Sequence, residues 1–386
     1  MEKKKNDFIA QGSILAVASI LVRVMGMIYR IPMTAIIGDK GNGFYSYAYS
    51  VYTILLLLSS YSLPLAVSKM VSAKAQLGQW RNVKRVFICA IAFAIGIGTT
   101  FGLIVLIGAQ FFTRVFFHSE LAAIALRFMA PTILIMALLG VFRGFFQGLQ
   151  NTLPTAVSQI VEGLINAIMS VVFAYFLFDF GHGMDAASGT TDLGYAWGAA
   201  GGAIGTGAGA LAGLIFCFIL FVAYRKILAV NISRDKTGTQ QEYGDIFRLM
   251  LSIALPVILS TALYNLIELV DGSLFNNIMA SKGMEDVKDS MWGAYNAKAL
   301  LLVHIPVSIS SAMAVSLVPT LTAAYALGDE QTAKSKVHAI LRFISILAFP
   351  SAVGLLVLAN PIIKTLFSGD TSAASTYLQV VCPAVI

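Results

Sequence analysis

Two arginines interrupt the first long apolar stretch, SILAVASILVRVMGMIYRIPMTAIIG, and they constrain the fold more than any other residues. Arg23 and Arg30 are seven positions apart, two turns of an α-helix, so both guanidinium groups leave on one face. Gly12, Ser19, Gly26 and Tyr29 lie on or beside that face; the opposite side is Leu, Val and Ile. A charge near a bilayer centre costs about 2.5–3.5 kcal/mol on insertion scales. Two on one face call for a protein interior or a wet cavity rather than lipid. The chain reads as a wall built around that cavity.

The rest of the sequence agrees with a membrane setting. Of 386 residues, 58% are hydrophobic and 12% charged, against about 25% charge in soluble domains. The fold class expected is all-α, a polytopic membrane protein. The net charge of +7 is no nucleic-acid footprint, because the basic residues sit in short loops between apolar runs. MEKKKND leads into the first span with no small-residue cleavage site, so that span is read as retained. Cys89, Cys217 and Cys382 are isolated in apolar runs, and the four histidines are dispersed, so neither a disulfide framework nor a metal site is expected. No cofactor motif, nucleophile or paired catalytic set is present, and no enzymatic activity is expected. The glycine-rich run GAAGGAIGTGAGALAG (198–213) opens an apolar span with no strand before it. It reads as a surface for close helix packing, not a phosphate loop.

Ten apolar segments follow one another: 9–37, 43–73, 83–110, 121–148, 154–178, 194–224, 246–279, 290–325, 336–359 and 371–386. Prolines in or near them, Pro32, Pro64, Pro131, Pro256, Pro306, Pro319 and Pro350, mark expected kinks. Lys3 to Lys5, the 69–85 and 225–236 basic groups, Lys334 and Lys336 all fall on one side, which the positive-inside rule assigns to the cytoplasm with the N-terminus. An internal repeat divides the chain. At an offset of 250, Gly43, Tyr45, Leu77, Gly78, Lys84 and Phe117 recur as Gly293, Tyr295, Leu327, Gly328, Lys334 and Phe367, and Arg114 recurs as Lys364. Pro131 falls over Pro383 after a two-residue insertion. Six spans separate equivalent positions, so the halves share one orientation, as in parallel-repeat transporters. The expected organisation is a first lobe, 1–225, with spans 1–6, a cytoplasmic inter-lobe loop and hinge at 226–245, and a partial second lobe, 246–386. Counterparts of spans 5 and 6 are missing, so the chain reads as part of a protein of at least twelve spans.

Several polar residues in the spans are candidates for function. Arg23 and Arg30 suit a diphosphate headgroup, which a guanidinium fork grips bidentately, or else they snorkel or pair with a carboxylate. Lys298, in GAYNAKALLLVHIPVSI, faces the cavity if the halves are symmetric, or snorkels outward. His304, six residues on, points elsewhere and reads as a core histidine. Glu268 and Asp271 are three apart and share a face with Tyr264; they bind a coupling cation or proton, or neutralise a neighbouring Arg or Lys. Glu162 and Asn166 form a polar stripe that lines the cavity or bridges helices. Arg143 and Gln147 read as interfacial anchors.

Three blocks carry a family resemblance: RVMGMIYRIPMTAIIGDKGNGFYSYAYSVY with LPLAVSK, FRGFFQGLQNTLPTAVSQIVEGL, and AKALLLVHIPVSISSAMAVSLVPTLTAAYA. They resemble the polysaccharide-biosynthesis and stage V sporulation protein B branch of the multidrug/oligosaccharidyl-lipid/polysaccharide exporter superfamily. The resemblance implies two six-helix lobes around a central cavity. It also implies a flippase for undecaprenyl-diphosphate-linked glycans, lipid II foremost, in the bacterial plasma membrane, working by alternating access. Family members contact the headgroup with cations of helices 1, 2 and 8. Arg23 matches the arginine of the RVxG element, Lys298 the lysine of the KAL-P element, and Glu162 the acid of the SQ-VE element. Two departures stand out: the second span has no cation, and the family's second helix 1 arginine falls at Tyr29. The partners implied are a polyprenyl-diphosphate-linked glycan, membrane lipids and a monovalent cation or proton, with the chain monomeric. An organic-cation exporter would need an acidic cavity, whereas this helix 1 face is basic. A non-transporting scaffold leaves the repeat and the buried charges without a role.

Overall fold

The computed structural model describes residues 2–311, 313, 329–369 and 371–386. Pro319, Leu327 and Gly328 lie outside the described residues, as do the side chains of residues 3–16 and Tyr264. Helix makes up 90% of the structure, and no strand occurs among the described residues. Among the described residues, seven helical stretches are long and apolar enough to cross a membrane, and the one at Val17–Gln76 contains two of the expected spans.

Helix α1, Glu2–Ser59, is a hairpin. Its backbone leaves the helical region at Gly38, where φ is 62° and ψ −176°, a conformation that favours a residue without a Cβ. Tyr49 and Arg30 line one cavity, although a continuous helix would hold them about 28 Å apart. The boundary expected between the first two spans is therefore made by a single residue. The second span breaks again at residues 60–62, and α2, Leu63–Gln76, starts with Pro64 in its first turn, where the missing N–H costs nothing.

Helices α3 (Trp80–Phe117), α4 (Ala122–Gly148), α5 (Leu153–Ser188) and α6 (Leu193–Arg234) complete the first half. The glycine-rich run packs as expected: a methyl group at Gly201 would collide with the backbone at Phe173 and Ala174, and one at Gly205 with Ser170. These residues let α6 lie backbone to backbone against α5.

The expected loop at 226–245 is shorter than its polarity suggested, because α6 continues to Arg234. The remaining residues are not free. The Asp235 carboxylate accepts the Arg81 N–H at 2.9 Å and the Thr237 N–H at 2.9 Å. Asn82 donates to the Thr239 carbonyl at 3.1 Å and accepts the Gln241 N–H at 3.0 Å. Arg85 lies over the Tyr243 ring, 5.0 Å from its centre. Donors converging from Arg81 and Thr237 hold the Asp235 carboxyl down at about 2. The segment read as a hinge is thus fastened to the start of α3.

Helix α7, Tyr243–Ser281, packs back on the first half. Its Ile246 and Met250 join a core with Val83, Phe87 and Phe145, and its Leu269 joins one with Phe44, Tyr47 and Phe117. Helix α8, Glu285–Ala294, passes through a π-turn at Tyr295–Leu300 into helical residues 301–311. Then come α9 (Glu330–Val357), α10 (Ala359–Leu366) and α11 (Ser372–Val381). A third core joins Ala299, Leu302, Ile363, Phe367 and Leu378, with Met27 and Ile31 of α1 packed against it. Helix starts follow the repeat: α9 begins 250 residues after α3, and α11 begins 250 after α4.

Candidate functional site

A cavity of about 310 Å³ opens between α1, α5 and the helical residues that follow α8. The first arm of α1 supplies Arg23, Gly26, Tyr29 and Arg30, and its second arm supplies Tyr49. Helix α5 adds Gly163 and Asn166, while Leu301, His304 and Ser308 close the third side. Local helix geometry explains the arginine stripe, since positions 23, 26 and 30 repeat at the helical period. Gly26 leaves open space between the two guanidinium groups: a methyl there would meet nothing within 4 Å. Asn166 accepts the Ser170 hydroxyl at 2.8 Å, leaving its amide N–H groups as donors. Among the described residues, no carboxylate comes within 4 Å of Arg23 or Arg30.

The other cations in the interior are compensated. Lys298 is 2% exposed and pairs with Asp39 at 2.8 Å. It does not line the arginine cavity. Lys298 and His304 thus exchange the places expected of them: the lysine is buried against α1, and the histidine is exposed on the cavity wall. Six residues turn a helix by about 240° net, so the two cannot face one way. The π-turn holding Lys298 faces α1, and His304 falls on the other side. Arg143 also departs from expectation. It is no interfacial anchor but a buried residue that donates to Ser158 Oγ at 2.8 Å and to Glu162 at 2.7 Å. The C-terminal turns of α4 lie against the start of α5, where Ser158 and Glu162 are one turn apart. Gln147 reaches the same helix, donating to Thr155 at 3.3 Å. Glu162 therefore serves a helix-bridging pair, and its neighbour Asn166 faces the cavity. On α7, Glu268 and Asp271 are exposed. Glu268 accepts the Ser50 hydroxyl at 3.4 Å, and its charge acts on Arg30.

Toward the tip of the α1 hairpin, α1 and α8 cross at a seam that obeys the repeat. Gly43 packs against the Asp289 carbonyl and Gly293 against the Asp39 carbonyl, each too closely for a methyl group. Both glycines and both aspartates are separated by 250 positions, so the crossing has twofold character. Tyr47 sits in the seam, its ring 4.6 Å from Phe117 and 6.2 Å from Trp292, and donates to Asn276 at 3.1 Å. Lys288 donates to the Phe117 and His118 carbonyls at 3.0 and 2.8 Å, fastening α8 to the end of α3. A second cavity of about 390 Å³ lies at the hairpin tip, lined by Asp39, Lys40, Tyr195 and Ser290 among others. Asp39 and its partnership with Lys298 were not anticipated from sequence. The available signal was the recurrence of Asp39 as Asp289 at the repeat offset.

Comparison with known proteins agrees with this architecture. The chain is similar to the lipid II flippase MurJ of Bacillus subtilis (strain 168), with 26% identity across 93% of this chain and 65% of the flippase. It is similar to stage V sporulation protein B of the same organism, with 24% identity across 98% of this chain and 70% of that protein. The chain thus spans about two thirds of these relatives' lengths. Among solved structures, an inward-facing multidrug resistance MATE family transporter of the MOP superfamily matches with a TM-score of 0.71 at 14% identity, over 94% of this chain and 79% of that one. A MOP superfamily transporter from Pyrococcus furiosus Vc1 matches with a TM-score of 0.61 at 14% identity, over 97% and 78%. Two family profiles, both described as polysaccharide biosynthesis protein, match residues 8–324 and 286–374. The first covers most of the chain, and this multi-pass membrane protein belongs to the polysaccharide biosynthesis protein family.

Proposed function

We propose that the protein moves a polyprenyl-diphosphate-linked glycan, lipid II foremost, across a bacterial plasma membrane by alternating access. The observation that carries this reading is that Arg23 and Arg30 share one cavity with no carboxylate within 4 Å of either among the described residues. Interior cations elsewhere in the chain have a carboxylate or carbonyl partner. A cation without a counter-ion in a low-dielectric cavity is costly unless its ligand brings the charge. A diphosphate diester brings two negative charges and oxygens that match the guanidinium fork. Asn166 then donates to the headgroup or the first sugar. Glu268, whose charge acts on Arg30, and Asp271 one turn on take the coupling cation or proton. Lys298 and Glu162 act through their ion pairs, holding α8 to α1 and α5 to α4. The tight α1–α8 seam closes the hairpin-tip side, and parting it opens the other access. The basic loops support a cytoplasmic N-terminus by the positive-inside rule, and the proposed working unit is the monomer. An organic cation would meet two like charges here, which disfavours the exporter reading.

The test is rescue of a strain depleted of its lipid II flippase, with Arg23→Ala and Arg30→Ala alongside the parent at matched expression. Growth and outward accessibility of lipid II should be restored by the parent and lost in either variant. Rescue by both variants would contradict the assigned headgroup site, and failure of a well-expressed parent would contradict lipid II as the substrate.

A further inference from the structure

His304 lines the arginine cavity, yet no role in the reading above uses it. Its ring is exposed there. Among the described residues it makes no hydrogen bond. It lies across the cavity from the first arm of α1, on the segment that continues α8. Among the described cavity-lining side chains it is the only one whose ordinary pKa, about 6.5, falls near neutral pH.

The charged and titratable groups around it come from each neighbouring element. Helix α1 presents Arg23 and Arg30, both acting electrostatically on the imidazole, and the hydroxyls of Tyr29 and Tyr49. Helix α7 presents Glu268, whose charge falls on Arg30. Helix α5 presents neutral Asn166, with Glu162 one turn away already paired to Arg143. On its own segment, Lys298 is paired with Asp39 and turned away. With the cavity empty, an added proton on His304 would face the guanidinium groups of Arg23 and Arg30. With a diphosphate bound, the same proton would face two negative charges and complete a third charge-assisted hydrogen bond, from the half of the molecule opposite the arginines.

We propose that His304 makes anion binding in this cavity proton-linked: the imidazole takes up one proton from solvent as the diphosphate enters and returns it as the diphosphate leaves. The inference rests on the reading of the cavity as a diphosphate site. By linkage, if binding favours the proton, the proton favours binding by the same factor.

The experiment measures binding of a short-chain polyprenyl-diphospho-N-acetylglucosamine to the purified full chain in detergent, from about pH 5.5 to about pH 8, across the ordinary histidine range. This diester does not change its own charge over that interval. The parent should lose affinity as pH rises, by up to about tenfold per pH unit where one proton is taken up on binding, and should take up protons on binding at neutral pH by calorimetry in two buffers of different ionisation heat. His304→Gln should bind with a flat profile and no proton uptake. His304→Lys carries its charge throughout, and should bind at the upper pH as the parent does at the lower. This second variant separates loss of charge from loss of fold. A pH profile in His304→Gln equal to the parent's would overturn the proton linkage while leaving the cavity's ligand class intact. No binding by the parent at any pH would overturn both.

Discussion

Lys298 is a buried cation held 2.8 Å from Asp39, whereas Arg23 is exposed on the cavity wall and has no carboxylate within 4 Å among the described residues. Their removal should therefore leave opposite signatures. Lys298→Ala strands the Asp39 carboxylate in the seam and should lower stability by about 3 kcal/mol. Asp39→Asn combined with Lys298→Met should recover most of that loss, because the charges leave together. Arg23→Ala should leave stability unchanged or raised by about 1 kcal/mol, since it removes an exposed cation that has no carboxylate within 4 Å among the described residues. Thermal unfolding in detergent, read for all three variants, distinguishes these outcomes. The arginine stripe was legible in the sequence because it depends only on helix periodicity. The place of Lys298 was not, because its partner lies 259 positions away and a π-turn sets its direction. Arg143 was misread for the same reason: nothing local reveals that α5 brings Ser158 and Glu162 over it.

Among the elements, the connection after α6 shows how polarity misleads. A run of Lys, Arg, Thr and Gln reads as a free hinge, yet part of it is helix and the rest is fastened to α3 through Asp235, Asn82 and Arg85. The Asp235 carboxyl is held at about 2, below its ordinary value of 3.8. A lowered carboxyl favours the folded arrangement above its free value, and the contribution disappears as pH falls through the folded one. Pepsin cleavage within 236–242 should accordingly increase as pH drops from about 4 to about 2. In Asp235→Asn the segment should be cut readily across that whole window, and an unchanged, acid-dependent pattern in the variant would contradict the account. Helix existence was readable from apolar runs, and so was the packing role of the glycines in α6. The boundary at Gly38 was readable too, because GDKGNG interrupts the apolar pattern. The break at residues 60–62 was hidden inside an unbroken apolar run, with only Pro64 to mark it.

For the whole molecule, the repeat is the organising fact. It aligns the start of α9 with that of α3 and the start of α11 with that of α4, and Gly43 and Gly293 pack in corresponding ways against the Asp289 and Asp39 carbonyls. The sequence carried that symmetry because a parallel repeat preserves spacing even where identities drift. The distribution of cores was not legible. Helix α7 begins the second half in sequence, yet its Ile246, Met250 and Leu269 are buried among first-half residues. Apolar periodicity says which face of a helix is buried, not against which partner. What the arrangement leaves is a cavity with two guanidinium groups and, among the described residues, no carboxylate within 4 Å of them, walled by both halves. The central claim is that this cavity takes a diphosphate. The most direct test is equilibrium binding of fluorescent lipid II to the purified chain in nanodiscs, with Arg23→Ala and Arg30→Ala. Each variant should lose about tenfold or more in affinity, as expected for one charge-assisted contact of about 1.5–3 kcal/mol. Unaltered lipid II binding in both variants, or binding of an organic cation such as ethidium in its place, would contradict it.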